Sequence, residues 1–260
     1  MHTQFSWDAP GGDMEATCRK ALDIGLPAVA FTEHADFTGG GYPEHRPLDV
    51  GAYLAEVERC RALFGDLRIL SGVELGQPHR FPREAAAVLA SGPLDRVLGS
   101  VHCVDWEGAL CDVSVGGLLT AGRAAQIVRS YLADVLALVE SGQPFQVLAH
   151  LDYPKRYWPH DELPYRDEEF EEETRATLRA AALRGAVLEL NTTRGAEPHL
   201  GLCPGRTVLG WWVEEGGRAV CLGSDAHDPE RIARGFELAS AMAEAAGFRP
   251  NDDPAGSWCR

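Results

Sequence analysis

Short apolar segments alternate with longer amphipathic segments along most of the chain. The apolar segments predict buried β-strands at residues 29–31, 68–73, 96–101, 145–148, 186–190 and 219–222. The amphipathic segments between and after them have helical spacing, at residues 50–63, 83–89, 118–140, 168–183, 206–214 and 229–245. Asp228 and Pro229 are suited to the N-cap and first turn of the last helix. Strands alternating with helices in this way indicate parallel βα units.

The N-terminal residues complete this series. Residues 1–4 have the pattern of the end of a first strand, which leads into a helix near residues 13–24 and gives about seven units. No linker or low-complexity segment separates the units. We therefore predict a single α/β domain, a distorted seven-stranded (β/α)7 barrel over residues 1–248, followed by a frayed polar tail at 249–260. An open doubly wound sheet is the structural alternative.

Two predicted connections are longer than the usual loop of about 4–6 residues. The first, residues 35–48, contains three consecutive glycines, and the second, residues 152–167, is rich in Pro, Tyr and Trp. Loops of this length in a compact barrel are often lids or binding loops, although surface excursions also occur.

Composition narrows the class of protein. The 260 residues include 39 acidic and 24 basic side chains, a formal net charge of −15, which argues against a nucleic-acid or anionic-membrane binder. No apolar run reaches the roughly 18 residues that span a bilayer, and no leader pattern precedes the first motif. The seven cysteines are scattered without a C-x-x-C pair, as in proteins with reduced thiols. We expect a cytoplasmic enzyme with no membrane association and no stable nucleic-acid partner.

Metal-competent side chains stand at the end of nearly every predicted strand. They are His2, His34, Glu74, His102, His150, Asp225 and His227. The carboxyl ends of barrel strands form one face, so these side chains should converge there. Imidazoles and carboxylates without thiolates suit Zn, Mn or Fe, and seven candidates exceed the needs of one tetrahedral metal. The sequence therefore predicts a multinuclear metal centre, of the kind that hydrolyses phosphate esters.

Six motifs, in order along nearly the whole chain, resemble those of the polymerase-and-histidinol-phosphatase (PHP) superfamily of metal-dependent phosphoesterases. They are H-T-Q-F-S-W-D at 2–8, T-E-H at 32–34, G-V-E at 72–74, G-S-V-H at 99–102, A-H at 149–150 and G-S-D-A-H at 223–227. The resemblance implies a distorted seven-stranded barrel that carries up to three divalent metals on its carboxyl face.

The resemblance also implies three ligand groups, one for each metal: His2, Glu74 and Asp225; Glu74 again with His102 and His150; and Asp8, His34 and His227. Asp8 could instead be a turn residue before Pro10. The superfamily opens with His-x-His, and His2 matches its second histidine, so the first would fall before Met1. We expect either that the start was assigned too late or that the first metal has one ligand fewer.

Two stretches resemble the histidinol-phosphate phosphatase branch of the superfamily. They are A-H-L-D-Y-P-K-R-Y at 149–157 and L-E-L-N-T-T-R at 188–194. The branch resemblance implies that Arg156 and Arg194 hold the substrate phosphate, a role that suits bidentate guanidinium groups. Each could alternatively be a solvated surface arginine. Glu189 and Asn191 could support the site or simply finish a strand.

These observations predict a phosphoric monoester hydrolase. We expect it to convert L-histidinol phosphate, a small phosphorylated substrate, to L-histidinol and phosphate in histidine biosynthesis. Glu74, Asp225, Arg156 and Arg194 are the expected catalytic residues. A related phosphoesterase that acts on nucleotides or short oligonucleotides is the first alternative, and a metal-binding protein without catalysis is the second.

Overall fold

The computed structural model describes residues 1–193 and 201–260. Within these residues the strands are β1 (Ala28–Asp36), β2 (Arg68–Gly76), β3 (Arg96–Ser100), β4 (Cys103–Trp106), β5 (Ala109–Asp112), β6 (Val147–Leu148), β7 (Val187–Asn191), β8 (Ala219–Gly223) and β9 (Trp258–Cys259). The main sheet has seven strands in the order β1-β2-β3-β6-β7-β8-β9, and β4 and β5 form a separate hairpin. All pairings from β1 to β8 in the main sheet are parallel, whereas β9 is antiparallel to β8.

Seven α-helices accompany these strands in the described part of the chain. They are α1 (Met14–Asp23), α2 (Val50–Leu63), α3 (Pro82–Ala90), α4 (Ala124–Glu140), α5 (Glu171–Leu183), α6 (Arg206–Glu214) and α7 (Phe236–Ala245). Neighbouring parallel strands follow chain order, without the reversal that defines a doubly wound sheet. The domain is therefore a curled, barrel-type α/β sheet, which confirms the predicted fold class. None of the described helices is long and apolar enough to cross a bilayer.

Local sequence signals explain where several helices begin. The side chains of Asp13 and Asp49 accept hydrogen bonds from backbone N–H groups in the first turns of α1 and α2, as N-caps do. Asp228 likewise caps a segment, but this segment is a short 3₁₀ turn at Pro229–Arg231. Gly235, with φ 79°, then precedes α7, so the helix expected at 229–245 is interrupted. A left-handed residue at this position cannot continue a helix.

Apolar packing fixes the sheet beneath the site. A large core cluster joins α4 to the strands and includes the fully buried Tyr131, Leu138 and Leu188. A smaller cluster packs α1 and α2 against β1 around Phe31 and Val57. Each such side chain contributes about 1.5–3 kcal/mol through burial, so the strand ends that carry the polar residues are held in place.

Residues 1–4 do not form the expected first strand. Thr32 N donates to Met1 O at 2.9 Å and His2 N donates to Ala226 O at 2.8 Å, so this segment bridges the chain beyond β8 to β1. One backbone bond on each side is too little to make a strand. The sheet instead reaches seven strands through β9, in which Trp258 pairs with Val220. The expectation of a frayed tail at 249–260 is thus wrong for its last residues, because they complete the edge of β8.

The hairpin of β4 and β5 was not predicted. Its connection is Glu107-Gly108, with φ 50° and 84°, and two left-handed residues are what a two-residue hairpin turn of this hand requires. The strands contain only four residues each, and they mix buried and exposed positions. Helix α4 also begins six residues later than predicted, at Ala124, because the hairpin and the turn after it occupy the preceding chain.

Candidate metal centre

The carboxyl ends of the parallel strands bring most of the predicted site residues to one cavity of about 210 Å³. Seven predicted residues line it: Asp8, His34, His102, His150, Asp225, His227 and Arg156. His2 and Glu74 are buried and contact residues of this lining. Arg194, the remaining predicted residue, lies outside the residues that the structure describes.

Glu74 is the centre of the first group of contacts. The parallel register pairs it with His34 on β1. Its Oε1 lies 3.0 Å from His102 Nε2 and 2.8 Å from His150 Nε2. Its Oε2 lies 3.6 Å from His2 Nε2. One carboxylate therefore contacts three imidazoles, as expected of a group shared between two metals.

His2 is held by a buried hydrogen-bond chain that the sequence did not reveal. The fully buried Glu33 accepts hydrogen bonds from Thr3 N at 2.9 Å, Thr3 Oγ1 at 2.6 Å and Ser6 Oγ at 2.6 Å. Because Ser6 uses its only hydrogen toward Glu33, its oxygen must accept from His2 Nδ1–H, 3.2 Å away. The Nε2 lone pair of His2 then faces Asp225 Oδ1 at 3.1 Å.

A third group of contacts surrounds Asp8. Its Oδ2 lies 3.1 Å from His227 Nε2 and 3.4 Å from His34 Nε2. His227 Nδ1–H donates to the backbone oxygen of Asp225 at 3.0 Å, which leaves Nε2 as the nitrogen that faces the cavity. Asp8 Oδ1 is buried and has no hydrogen-bond partner in the part of the chain that the structure describes.

The donor atoms fit divalent metal ions. His102 Nε2 and His150 Nε2 are 3.4 Å apart, and both lie within 3.0 Å of the same carboxylate oxygen, Glu74 Oε1, so three donor atoms converge on one point. Ligand atoms of His34, Glu74 and His102 lie within 4.8 Å of one another, as do those of His2, His34 and His227. Imidazole nitrogens and carboxylate oxygens at this spacing are the donors that zinc and similar metals take.

Burial and mutual contact shift the pKa values of these groups in opposite directions. Burial and the neighbouring histidines lower the pKa of His2 to about 3. Burial also disfavours the charged form of His34, but the adjacent Asp8 outweighs it and raises the pKa to about 10. Burial acts to raise the pKa of Glu74, yet His150 and His102 hold it well below the usual range. Of these three groups, His34 is therefore the one that would have to release a proton in order to bind a metal.

Two of the predicted ligands have a left-handed backbone. His150 has φ 21° and Asp225 has φ 47°, a region that side chains with a Cβ seldom adopt. Each follows the end of a strand of the main sheet, β6 and β8 respectively. Such strain persists only where the surrounding structure enforces it, and it is concentrated at functional sites.

Asp36 supports the centre and was missed by the sequence reasoning. Its Oδ1 accepts a hydrogen bond from His102 Nδ1–H at 3.0 Å, which directs His102 Nε2 toward Glu74. Its Oδ2 accepts from Trp7 Nε1–H at 2.8 Å. The signal was available, because Asp36 lies two residues after His34 on β1, and residues at this spacing share a face of the strand.

Arg156 lies against the metal-ligand cluster rather than at the surface. It is 9% exposed, and its NH1 is 2.8 Å from Asp225 Oδ2. Its Nε and NH2 groups are buried and have no hydrogen-bond partner in the described residues. Buried guanidinium donors are normally satisfied, so these two are available for an anion in the cavity.

Glu189 and Asn191 contact the part of the metal-ligand cluster that contains Asp225 and His150. Asn191 Nδ2 donates to Asp225 Oδ2 and to Glu189 Oε2, each at 3.2 Å. Glu189 Oε2 also accepts from His150 N at 2.9 Å. The two residues therefore connect the loops that carry His150 and Asp225, which decides between the alternatives left open for them.

Two proteins with assigned names are similar in sequence to this chain over most of its length. The histidinol-phosphatase of Lactococcus lactis subsp. lactis (strain IL1403) is 30% identical over 253 residues, which cover 95% of this chain and 90% of that protein. The probable histidinol-phosphatase of Thermotoga maritima is 35% identical over 237 residues, which cover 91% of this chain and 86% of that protein.

Solved structures are similar over the same extent. The Lactococcus lactis histidinol phosphate phosphatase, complexed with Zn, L-histidinol and phosphate, has a TM-score of 0.84 and 28% identity, covering 96% of this chain and 92% of that one. The putative histidinol phosphatase of Listeria monocytogenes has a TM-score of 0.75 and 19% identity, covering 91% of this chain and 97% of that one, and shares the fold. A family model described as the PHP domain matches residues 1–193. That match covers five of the six motifs and most of the chain, so the chain belongs to the PHP domain family.

Proposed function

We propose that this protein is a metal-dependent phosphatase that hydrolyses L-histidinol phosphate to L-histidinol and phosphate. The observation that carries the proposal is the buried guanidinium of Arg156 beside a cluster of imidazoles and carboxylates, with two donors that have no partner among residues 1–193 and 201–260. The named relatives supply the substrate, since the similar Lactococcus structure holds Zn, L-histidinol and phosphate. The chain matches that structure over 96% of its length.

We propose three ligand groups for the divalent metals: His2, Glu74 and Asp225; Glu74, His102 and His150; and Asp8, His34 and His227. When bound, such metals activate water and neutralise charge on the phosphate oxygens. The chain's own part is to fix the donors. Asp36 orients His102, and the backbone oxygen of Asp225 orients His227. We assign phosphate binding to Arg156 and, outside the described residues, to Arg194.

Arg156 would bind the phosphate through its free Nε and NH2 groups while NH1 stays on Asp225. This contact holds the guanidinium plane in one orientation before substrate arrives, so little rotamer entropy is lost on binding. The donors would then stabilise charge on the phosphoryl oxygens in the transition state.

Turnover tests the proposal directly. Purified protein is assayed for phosphate release from L-histidinol phosphate, p-nitrophenyl phosphate and nucleoside monophosphates, with Zn, Mn or Fe supplied and metal content measured by elemental analysis. The expected result is a kcat/KM for L-histidinol phosphate well above those for the other esters. A higher value for nucleotides would favour the related phosphoesterase, and metal binding without turnover would favour a non-catalytic protein. A Glu74→Gln preparation controls for contaminating phosphatases.

The proposal includes a cytoplasmic place of action without a stable nucleic-acid partner. All seven cysteines are free, as suits a reducing compartment. The net charge of −15 disfavours phosphate-backbone binding.

A further inference from the structure

Several residues that line the cavity take no part in the three proposed ligand groups. They include Trp7, Asp112, Tyr153 and Tyr157. Asp112 ends β5, the second strand of the hairpin, and β4 begins directly after His102. Val113 N donates to His102 O at 3.0 Å, so the hairpin is tied to the metal-ligand cluster.

Asp112 is a largely buried residue whose carboxylate has no cationic partner among the described residues. The residue as a whole is only 7% exposed. Oδ1 accepts from Ser114 N at 2.8 Å and Ser114 Oγ at 2.5 Å, and lies 3.4 Å from Tyr153 OH. In the described residues no Lys, Arg or His forms an ion pair with it, and Oδ2 makes no hydrogen bond there, although it is not one of the fully buried polar atoms without a partner.

The other acidic residues that line the cavity are already paired. Asp8 contacts two histidines, Asp36 contacts His102, and Asp225 contacts Arg156. A buried carboxylate is costly unless a positive group compensates for its lost hydration. Among the described residues, Asp112 is therefore the acidic group of this lining that has no positive partner.

The carboxylate is held rigidly by the long loop at residues 35–48. Asp112 N donates to Gly40 O at 2.8 Å, and Tyr42 OH is 2.8 Å from Ser114 Oγ. Gly40 has φ 56°, and a Cβ there would lie 2.8 Å from Cys103 Sγ, so only glycine allows this close approach. A fixed charge in a small cavity is a preorganised binding group.

We propose that Asp112 binds the ammonium group of the substrate and so selects phosphate esters that carry a cationic amine. The inference rests on the proposed function and states how that site recognises its substrate. Arg156 takes the anionic end of the ester, and Asp112, with Oδ2 free, takes the cationic end. Trp7 and Tyr157 also line the cavity, and aromatic side chains of this kind can favour a cation or a planar ring.

The test compares two substrates that differ only in the amine. They are L-histidinol phosphate and its deaminated analogue, 3-(imidazol-4-yl)propyl phosphate, assayed near pH 8, where the imidazole, with an ordinary pKa of about 6.5, is neutral. The measured quantity is the ratio of kcat/KM for the amine to that for the analogue. Asp112→Asn should lower this ratio by about 10- to 100-fold, the range expected for a lost hydrogen bond to a charged group.

Two controls separate binding from folding and from general charge. Asp66→Asn removes one negative charge at an exposed turn residue and should leave the ratio unchanged. Ser114→Ala removes a donor to Asp112 Oδ1 but keeps the carboxylate. Its thermal unfolding therefore measures how much this hydrogen bond contributes to the stability of the fold. Asp112→Glu keeps the charge and should retain part of the preference for the amine.

The outcomes are distinct. An active wild-type enzyme whose ratio is unchanged by Asp112→Asn would overturn the ammonium assignment and leave the proposed function intact. A wild-type enzyme that cleaves p-nitrophenyl phosphate but neither imidazole ester would overturn both. A ratio that falls in Asp112→Asn and in Ser114→Ala alike, with matching loss of thermal stability, would also overturn it, because a folding defect then explains the change.

Discussion

Replacing Arg156 by methionine removes the buried guanidinium while keeping much of the side-chain volume. Among the described residues two of its donors, Nε and NH2, have no hydrogen-bond partner, and Arg156 lines the cavity. Loss of one donor that stabilises a transition-state oxyanion costs about 10²–10³ in kcat, or about 2.7–4 kcal/mol. We expect kcat/KM for L-histidinol phosphate to fall by at least about 10²-fold. Arg156→Lys keeps the charge without the planar fork and should recover only part of the loss.

The contact between Arg156 NH1 and Asp225 Oδ2, at 2.8 Å, offers another route by which the variant could lose activity. Asp225 is a proposed metal ligand, and its oxygen would lose a cation. Asn191→Ala is the matched control, because Asn191 Nδ2 donates to the same oxygen at 3.2 Å but offers nothing to the phosphate. Elemental analysis of both variants therefore accompanies the kinetics.

The expected pattern is specific to a phosphate clamp. Arg156→Met should lose kcat/KM and also its competitive inhibition by inorganic phosphate, while it retains most of its metal. Wild-type kinetics and wild-type phosphate inhibition would refute the assignment. Loss of metal in proportion to activity, matched by Asn191→Ala, would show instead that the guanidinium acts through Asp225.

Three further changes test the rest of the centre. Glu74→Gln should lose activity and bound metal together, because this carboxylate contacts three imidazoles, and near-normal metal content by elemental analysis would contradict it. Asp36→Asn should weaken metal binding by about 10- to 100-fold in competition with a chelator, and unchanged affinity would remove its orienting role. Burial acts to raise the pKa of Asp134, but hydrogen bonds from a histidine and from Arg80 lower it below the ordinary carboxyl pKa of about 3.9. The contact therefore stabilises the fold fully above the ordinary pKa, and this stabilisation is lost as pH falls below it and through the lowered pKa of folded Asp134. Arg80→Met should cost about 1–3 kcal/mol in urea unfolding at pH 7 and less near pH 3, whereas the exposed Arg83→Met should cost little at either pH, and a pH-independent cost would refute this.

The sequence predicted the parallel part of the sheet well, because its strands are apolar runs followed by amphipathic helices. Strands β1 to β3 and β6 to β8 all overlap predicted segments. The hairpin was missed for a physical reason: Cys103 is buried by packing under Gly40, while Asp105 is exposed, so neither strand has a clear pattern. Strand β9 has two residues, and its pairing with β8 depends on tertiary contact that no local pattern encodes.

Candidate ligands were easier to predict than the residues that position them. A histidine at a strand end is unusual enough to be noticed, and the register then brings His34 beside Glu74. Asp36 and Glu33 are ordinary acidic residues in the sequence, and their roles arise only from partners far along the chain. Asp36 lies 66 residues from His102, and Glu33 lies 30 residues from Thr3. The spacing from His34 could place Asp36 on the ligand face of β1, but the partners of Asp36 and Glu33 are set only by the folded sheet.

The metal-ligand cluster also joins the two sides of the curled sheet between β1 and β8, where strand pairing stops. In the described residues β1 and β8 are not paired with each other, and the N-terminal segment between them contributes one backbone bond to each side. Side chains complete the junction: His2 contacts Asp225 beyond β8, and Asp8 contacts both His34 on β1 and His227. All of these residues are proposed metal ligands, so ions bound there would cross-link the segment to both edges. Metal-binding free energy would then also be folding free energy at this junction, which accounts for how so short a segment can close the sheet.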